Sequence, residues 1–422
     1  EAIMKTRGTW YYIDPEGSDA NDGFSPDTPL RTFQKIRKIV LRPGDRVLLK
    51  CGGVWNEELT IAGQGAPDAF IEISSYGTGD RPVIRRNGHI GDRCVRLNNP
   101  SYLRLGNLEV CNGGAGIVLF YDHSYHNRSV YLHDITAHDF GGIYRASGES
   151  SCNEEWKAYR SPDRVGFSLG ICVTGNDSTP MNGERVLSDF RISDCEVYRT
   201  GGGIGLDWCD HVCCDGAIAG KNKFGDVLWE RLYLHDNDIP DVSLTSLFLQ
   251  CVTGAVLRDS VIDKGAGGAP WGTAAIHLQL ARDVLVENVT IRNMPHTDVS
   301  DECGIDFETD VEDCIIRRCV FENNAGPAVE FLANYDVSDQ ASSRDRDIIL
   351  EECTFLRNNW ACLYANPAQI LVQDWQRDNR PTGRITGCRY ENPAGAGFLG
   401  GDGGIDGFVT EGNIDITLRA EV

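Results

Sequence analysis

A histidine and three carboxylates fall at matching places in a short pattern that returns along the chain. The pattern is a small residue, an apolar one, a variable one, an apolar one and a second variable one. It reads Gly-Ile-Val-Leu-Phe at 116–120, Gly-Ile-Gly-Leu-Asp at 203–207, Ser-Leu-Phe-Leu-Gln at 246–250 and Ala-Ile-His-Leu-Gln at 275–279. It continues with Gly-Ile-Asp-Phe-Glu at 304–308, Ala-Val-Glu-Phe-Leu at 328–332 and Cys-Leu-Tyr-Ala-Asn at 362–366. Alternate residues of a strand face opposite sides. Apolar positions such as Ile305 and Phe307 therefore point inward, and the variable positions point out. The third position then forms one column of Val118, Gly205, Phe248, His277, Asp306, Glu330 and Tyr364. The fifth forms a second column of Phe120, Asp207, Gln250, Gln279, Glu308, Leu332 and Asn366.

Carboxylates at one column in adjacent coils stand roughly 5 Å apart, and two residues apart on one strand roughly 6.5–7 Å. Paired carboxylates at about 5–5.5 Å or about 6.5–9.5 Å are what acid- and base-assisted cleavage of a glycosidic bond requires. Crowding of like charge also raises one pKa, which keeps an acid protonated near neutrality. Asp306 and Glu330 are the first catalytic candidates and Glu308 the next. Asp207 lies three coils from Glu308, roughly 14 Å, and reads as a substrate-binding residue. His277, Gln279 and Gln250 could bind sugar hydroxyls, and Trp208 (with Trp271) could stack on a sugar ring. His211 sits in the same block, 207–215, together with Cys209, Cys213 and Cys214. That block matches no standard zinc spacing and reads as a loop beside the cleft, with room for one local disulfide. The competing reading of the carboxylates is a solvated acidic stripe, or a set of side chains bracing the coils.

Such columns need a scaffold that repeats. The pattern recurs at roughly 24–34 residues, within the range of solenoids. A second pattern follows most copies: 284–293, 314–323 and 348–358 align, and 227–237 belongs with them. Short period-2 strands without intervening helices predict an all-β chain, a single right-handed parallel β-helix. In the second pattern Val289, Cys319, Cys353 and Cys388 are equivalent, with Cys195 at the comparable place in an earlier coil. Free cysteine favours burial, so the alignment predicts an inward ladder of thiols rather than a disulfide framework. Near the N-terminus, 30–40 is amphipathic with Thr32 as a candidate N-cap, and predicts a helix capping the open end of the solenoid. The domain reading is one β-helix over 1–422, with the strand and capping helix in 1–50 and coils over 51–422.

The chain has 422 residues, 47 glycines, 16 cysteines and a net charge of −22. Such an acidic surface disfavours nucleic acid and anionic membranes, and no apolar run is long enough to span a membrane. A carbohydrate is the expected partner, and the sequence leaves the oligomeric state open. No cofactor is required by the chemistry; acidic loops such as Asp236-Asn-Asp238 leave calcium possible. Sequons at Asn127, Asn176 and Asn288 read as chance matches. The expected location is secreted or periplasmic, although no signal peptide opens this sequence.

The stretch from Tyr11 to Pro29, with 41–50, 53–57 and 75–84, resembles the start of right-handed parallel β-helix proteins of the pectate-lyase-like superfamily. With the coils, the resemblance covers nearly the whole chain. It implies the fold, and it implies glycoside hydrolases, polysaccharide lyases, epimerases or tailspikes as functional types without choosing among them. The carboxylates favour a hydrolase. A lyase acting on uronates would need a base and a cation or arginine, and the outward columns offer His277 and Tyr364 but no Lys or Arg. A non-catalytic glycan-binding β-helix is the third reading.

Overall fold

The computed structural model describes residues 8–89, 91–140, 169–175, 184–206, 223–240, 243–267, 272–332, 345–373, 380–391, 397–401 and 405–417. Its strands pair in parallel from coil to coil in three stacks. The first runs from Trp10–Ile13 through Arg46–Lys50 and Ile71–Tyr76 to Gly383–Thr386 and Phe408–Glu411. The second runs from Val54–Trp55 and Val83–Arg85 to Arg389–Tyr390 and Ile414–Asp415. The third begins at Leu59–Ala62 and Arg93–Asn98, passes through Ile204–Leu206 and Cys303–Thr309, and reaches Ile370–Val372 and Leu399–Gly400. This is the parallel β-helix expected from the repeats.

The coils turn sharply between the first and second stacks. One residue with positive φ makes each corner: Asn107, Asp134, Asp194, Arg231, Asp259, Asn288, Arg318 and Glu352, then Gly387 and Gly412. Asn, Asp and Gly tolerate this conformation at low cost. The residue after each corner drops inward, and in five coils these are Cys195, Val289, Cys319, Cys353 and Cys388, all buried. Every described cysteine is a free thiol, so the ladder is present as expected; Cys209, Cys213 and Cys214 lie outside the described residues.

Inward side chains stack along the axis. Phe307 lies 4.7 Å from Phe331, and Phe321 lies 5.1 Å from Phe355, ring centroid to centroid. Burying each such ring contributes about 1.5–3 kcal/mol. Asn324 donates to Asn358 at 2.7 Å inside the turns, satisfying polar groups that burial would otherwise strand.

The N-terminal helix is corrected. Only Ile36–Lys38 forms a 3-10 turn. Leu30 bridges to Ile13 as a strand residue. The backbone N–H groups of Arg31 and Thr32 donate to Asp19, and that of Phe33 donates to Glu57. Side-chain carboxylates thus take three donors of this segment and the Thr32 hydroxyl accepts a fourth from Gln34, while the 3-10 turn itself starts after Lys35 with no side-chain cap. Leu30, Phe33 and Ile36 still join the core, and Phe33 stacks on Trp55 at 5.5 Å. The structure also bears on two smaller readings. Asn127 is buried and donates to the Val186 carbonyl, so its sequon is closed to a glycan. In the Asp236-Asn-Asp238 loop, Asp236 pairs with Lys264 at 2.9 Å and Asn237 is buried against Thr200. Among the described residues no helix is long and apolar enough to cross a membrane.

Candidate active site

The third stack carries the predicted column. His277, Asp306 and Glu330 stand in register on successive strands, with Phe248 before them and Leu371 after. Tyr364 does not belong to this column, because the strand of that coil is Ile370–Val372. The second column also departs from expectation. The ladder slips between Leu278 and Gln279, so that Gln279 pairs with Thr309 and Glu308 is the extra residue. Such a bulge bends a strand and re-aims a side chain. Here it gathers His277, Asp306 and Glu308, each with a polar atom within 4.8 Å of the others. Gln250 donates to Gln279 at 3.1 Å, forming an amide ladder along the wall.

Asp306 and Glu330 are buried rather than outward, while Glu308 is half-buried. Asp306 is 3% exposed and Glu330 is 0% exposed. Glu330 accepts from the Gln373 amide at 2.6 Å. Its Oε2, and Oδ1 of Asp306, have no hydrogen-bond partner. Burial, joined by repulsion from Glu308 and Asp301, pushes the Asp306 carboxyl well above the ordinary range. Burial and the charge of Asp301 do the same to Glu330. His277, 3.3 Å from Asp306, is held below the usual imidazole value by burial.

A fourth carboxylate was not anticipated. Asp301 lies in the turn before the Cys303–Thr309 strand, with φ 70°. It is 7% exposed, accepts from the Tyr364 hydroxyl at 3.1 Å, and donates its backbone N–H to that hydroxyl at 3.2 Å. Burial and the nearby Glu308 raise its carboxyl to about 7. Gly272, from the preceding coil, makes room for it: a Cβ there would fall 1.9 Å from Asp301 Oδ2. Phe248, Thr245, His277, Asp301, Asp306 and Glu308 enclose a cavity of about 120 Å³, and Glu330 lies outside its lining. Asp207, Trp208, His211 and Trp271 lie outside the described residues.

The comparisons agree with the fold. Residues 169–343 match the family described as "Right handed beta helix region". The GH136 lacto-N-biosidase of Eubacterium ramulus superposes over 97% of this chain and 68% of its own, with a TM-score of 0.66 at 18% identity. The mannuronan C-5 epimerase A-module of Azotobacter vinelandii superposes over 87% of this chain and 86% of its own, at TM-score 0.53 and 12% identity. In sequence, the lacto-N-biosidase of Bifidobacterium longum subsp. longum is 34% identical over 28% of this chain. The chain spans only 9% of that curated relative. Fold and matches together define a right-handed parallel β-helix.

Proposed function

We propose that the protein is a glycoside hydrolase acting on an oligosaccharide, with Asp301 as general acid and Glu308 as the second carboxylate. One observation carries this reading: a carboxyl held at about 7 on a cavity wall that Glu308 shares. An acid tuned near neutrality can keep its proton until the glycosidic oxygen needs it. Glu308 then attacks the sugar or activates water. Asp306, kept protonated by burial, can donate a hydrogen bond to Glu308. Glu330 is not part of the cavity lining and accepts from Gln373. Similarity to the two lacto-N-biosidases supports a hydrolase and suggests glycosides of lacto-N-biose as the first substrates to try.

A lyase reading has less support, because the residues described as lining the cavity include no Lys or Arg to neutralise a uronate. The test is incubation with a glycan panel that includes lacto-N-biose glycosides. New reducing ends without ultraviolet absorbance from unsaturated sugars are expected. Unsaturated products would refute the hydrolase reading, and hydrolysis undiminished in both Asp301→Asn and Glu308→Gln would refute the assignment of the acid and its partner.

A further inference from the structure

Large aromatic rings are costly to leave in water, and the described surface carries few of them. Two belong to one short loop beside the acid site. Trp360 is 54% exposed and Tyr364 is 45% exposed. The Tyr364 hydroxyl is the partner of Asp301. Trp360 lies against His296, ring centroids 6.0 Å apart and edge to face. His296 in turn bonds Glu302 at 2.8 Å, and Glu302 is the residue after Asp301. Tyr364 is thus tied directly, and Trp360 through His296, to the turn that holds the proposed acid.

The loop is held rather than loose. Asn359, Cys362, Tyr364 and Ala365 all have positive φ, a strained choice for residues other than Gly, Asn or Asp. Such a conformation persists only when its surroundings over-determine it. Asn359 supplies much of that restraint. Its side chain donates to the carbonyls of Asn366 and Ala368 at 2.7 and 2.8 Å, and its Oδ1 accepts from the Leu363 backbone. The backbone N–H of Ala361 donates to Ala325, and the indole N–H of Trp360 donates to the Asn323 carbonyl at 3.4 Å. The indole edge is fixed while the ring stays open to solvent.

The position along the axis assigns the side of the cleft. The cavity is walled by Phe248 and His277 on the N-terminal side of Asp301. Tyr364 precedes the strand Ile370–Val372, which lies beyond Glu330 on the C-terminal side. A sugar seated in the cavity would therefore extend its next unit toward Tyr364 and Trp360. From this, and resting on the hydrolase reading above, we infer that Trp360, braced by the strained 359–366 loop, is a stacking platform for a pyranose ring of an oligosaccharide bound next to Asp301. A neutral ring with axial C–H groups suits an indole face that no cation occupies among the described contacts.

The test is binding rather than turnover. Glu308→Gln, made to prevent cleavage, is combined with Trp360→Ala or Trp360→Phe in the full chain. Affinity for a panel of neutral oligosaccharides, including lacto-N-biose extended at its reducing end, is measured by calorimetry. Trp360→Ala is expected to weaken binding about tenfold or more, and Trp360→Phe to keep most of it, with thermal stability unchanged in both. Equal affinity in Trp360→Ala overturns the platform while leaving the hydrolase reading intact if the wild type cleaves. Lost binding in Trp360→Ala with no cleavage by the wild type supports the platform and overturns the hydrolase reading. No binding by any variant overturns the platform outright.

Discussion

Asp301→Asn should make the protein more stable at alkaline pH while disabling it. The Asp301 carboxyl sits at about 7 against an ordinary value of 3.8. Its folded-state pKa is raised, so the folded state holds a proton that the unfolded chain releases. The stabilising contribution is complete below pH ~4 and is lost as pH rises through ~7. A shift of about 3 units corresponds to about 4 kcal/mol at ~1.36 kcal/mol per unit. For a chain of this length the unfolding entropy is about 0.9 kcal/mol/K, so the change is about 4–5 °C in Tm. Asparagine does not ionise and escapes this loss. The assay is thermal denaturation of wild type and variant at pH 5 and pH 8. Roughly one unit of the shift is already lost at pH 5, so about 2 units, or about 2.6 kcal/mol, remain, and the Tm difference, variant minus wild type, should rise by about 3 °C between the two. Activity at neutral pH should fall by about 10²–10⁴-fold, as removal of a general acid implies. A Tm difference that is the same at both pH values would refute the reasoning, because Asp301 would then ionise in the folded protein as it does in water.

Gly272→Ala should abolish most activity without unfolding the chain, since its Cβ would strike Asp301 Oδ2 and its φ of 108° disfavours any side chain; cleavage rate and circular dichroism check this. Gln373→Leu removes the donor to the buried Glu330 and should cost about 1–3 kcal/mol, read as a fall of a few degrees in Tm. Iodoacetamide followed by peptide mapping should label the exposed Cys362 in the native protein, and the buried Cys319, Cys353 and Cys388 only after denaturation. Fast native labelling of Cys353 would contradict the inward ladder.

The architecture was legible because its two signals are periodic. Alternation placed Ile305 and Phe307 inward, and alignment of Cys319, Cys353 and Cys388 identified one corner of the C-terminal coils. The helix over 30–40 failed because apolar residues at 30, 33 and 36 satisfy a three-residue turn as well as a helix, and Asp19 and Glu57 captured the backbone donors. The strand assigned to 362–366 failed for a related reason. The run Ile370-Leu-Val lies a few residues on and fits the same pattern, and it is the one that pairs with Val329–Phe331.

At the site, the column of His277, Asp306 and Glu330 followed from register alone, whereas the chemistry did not. A one-residue bulge leaves the apolar alternation of Leu278, Ile305 and Phe307 intact, so nothing in the pattern marks where Glu308 is re-aimed. Asp301 precedes its strand, in a turn where alternation says nothing about direction. Its placement depends on a glycine 29 residues earlier, one coil away. Position in the coil then decides role. Glu330, in register and completely buried, is not part of the cavity lining and accepts from Gln373. Asp301, off the lattice and beside the cavity, is the carboxyl tuned near neutrality. A regular coil fixes spacings of about 4.8 Å that suit packing. An acid and its partner must instead be set against a substrate, and on the proposed assignment that is achieved where the regularity breaks, at the bulge and at the Gly272–Asp301 approach. Substitutions at those two irregularities should therefore reduce activity more than stability, and substitutions of Glu330 or Gln373 should do the reverse.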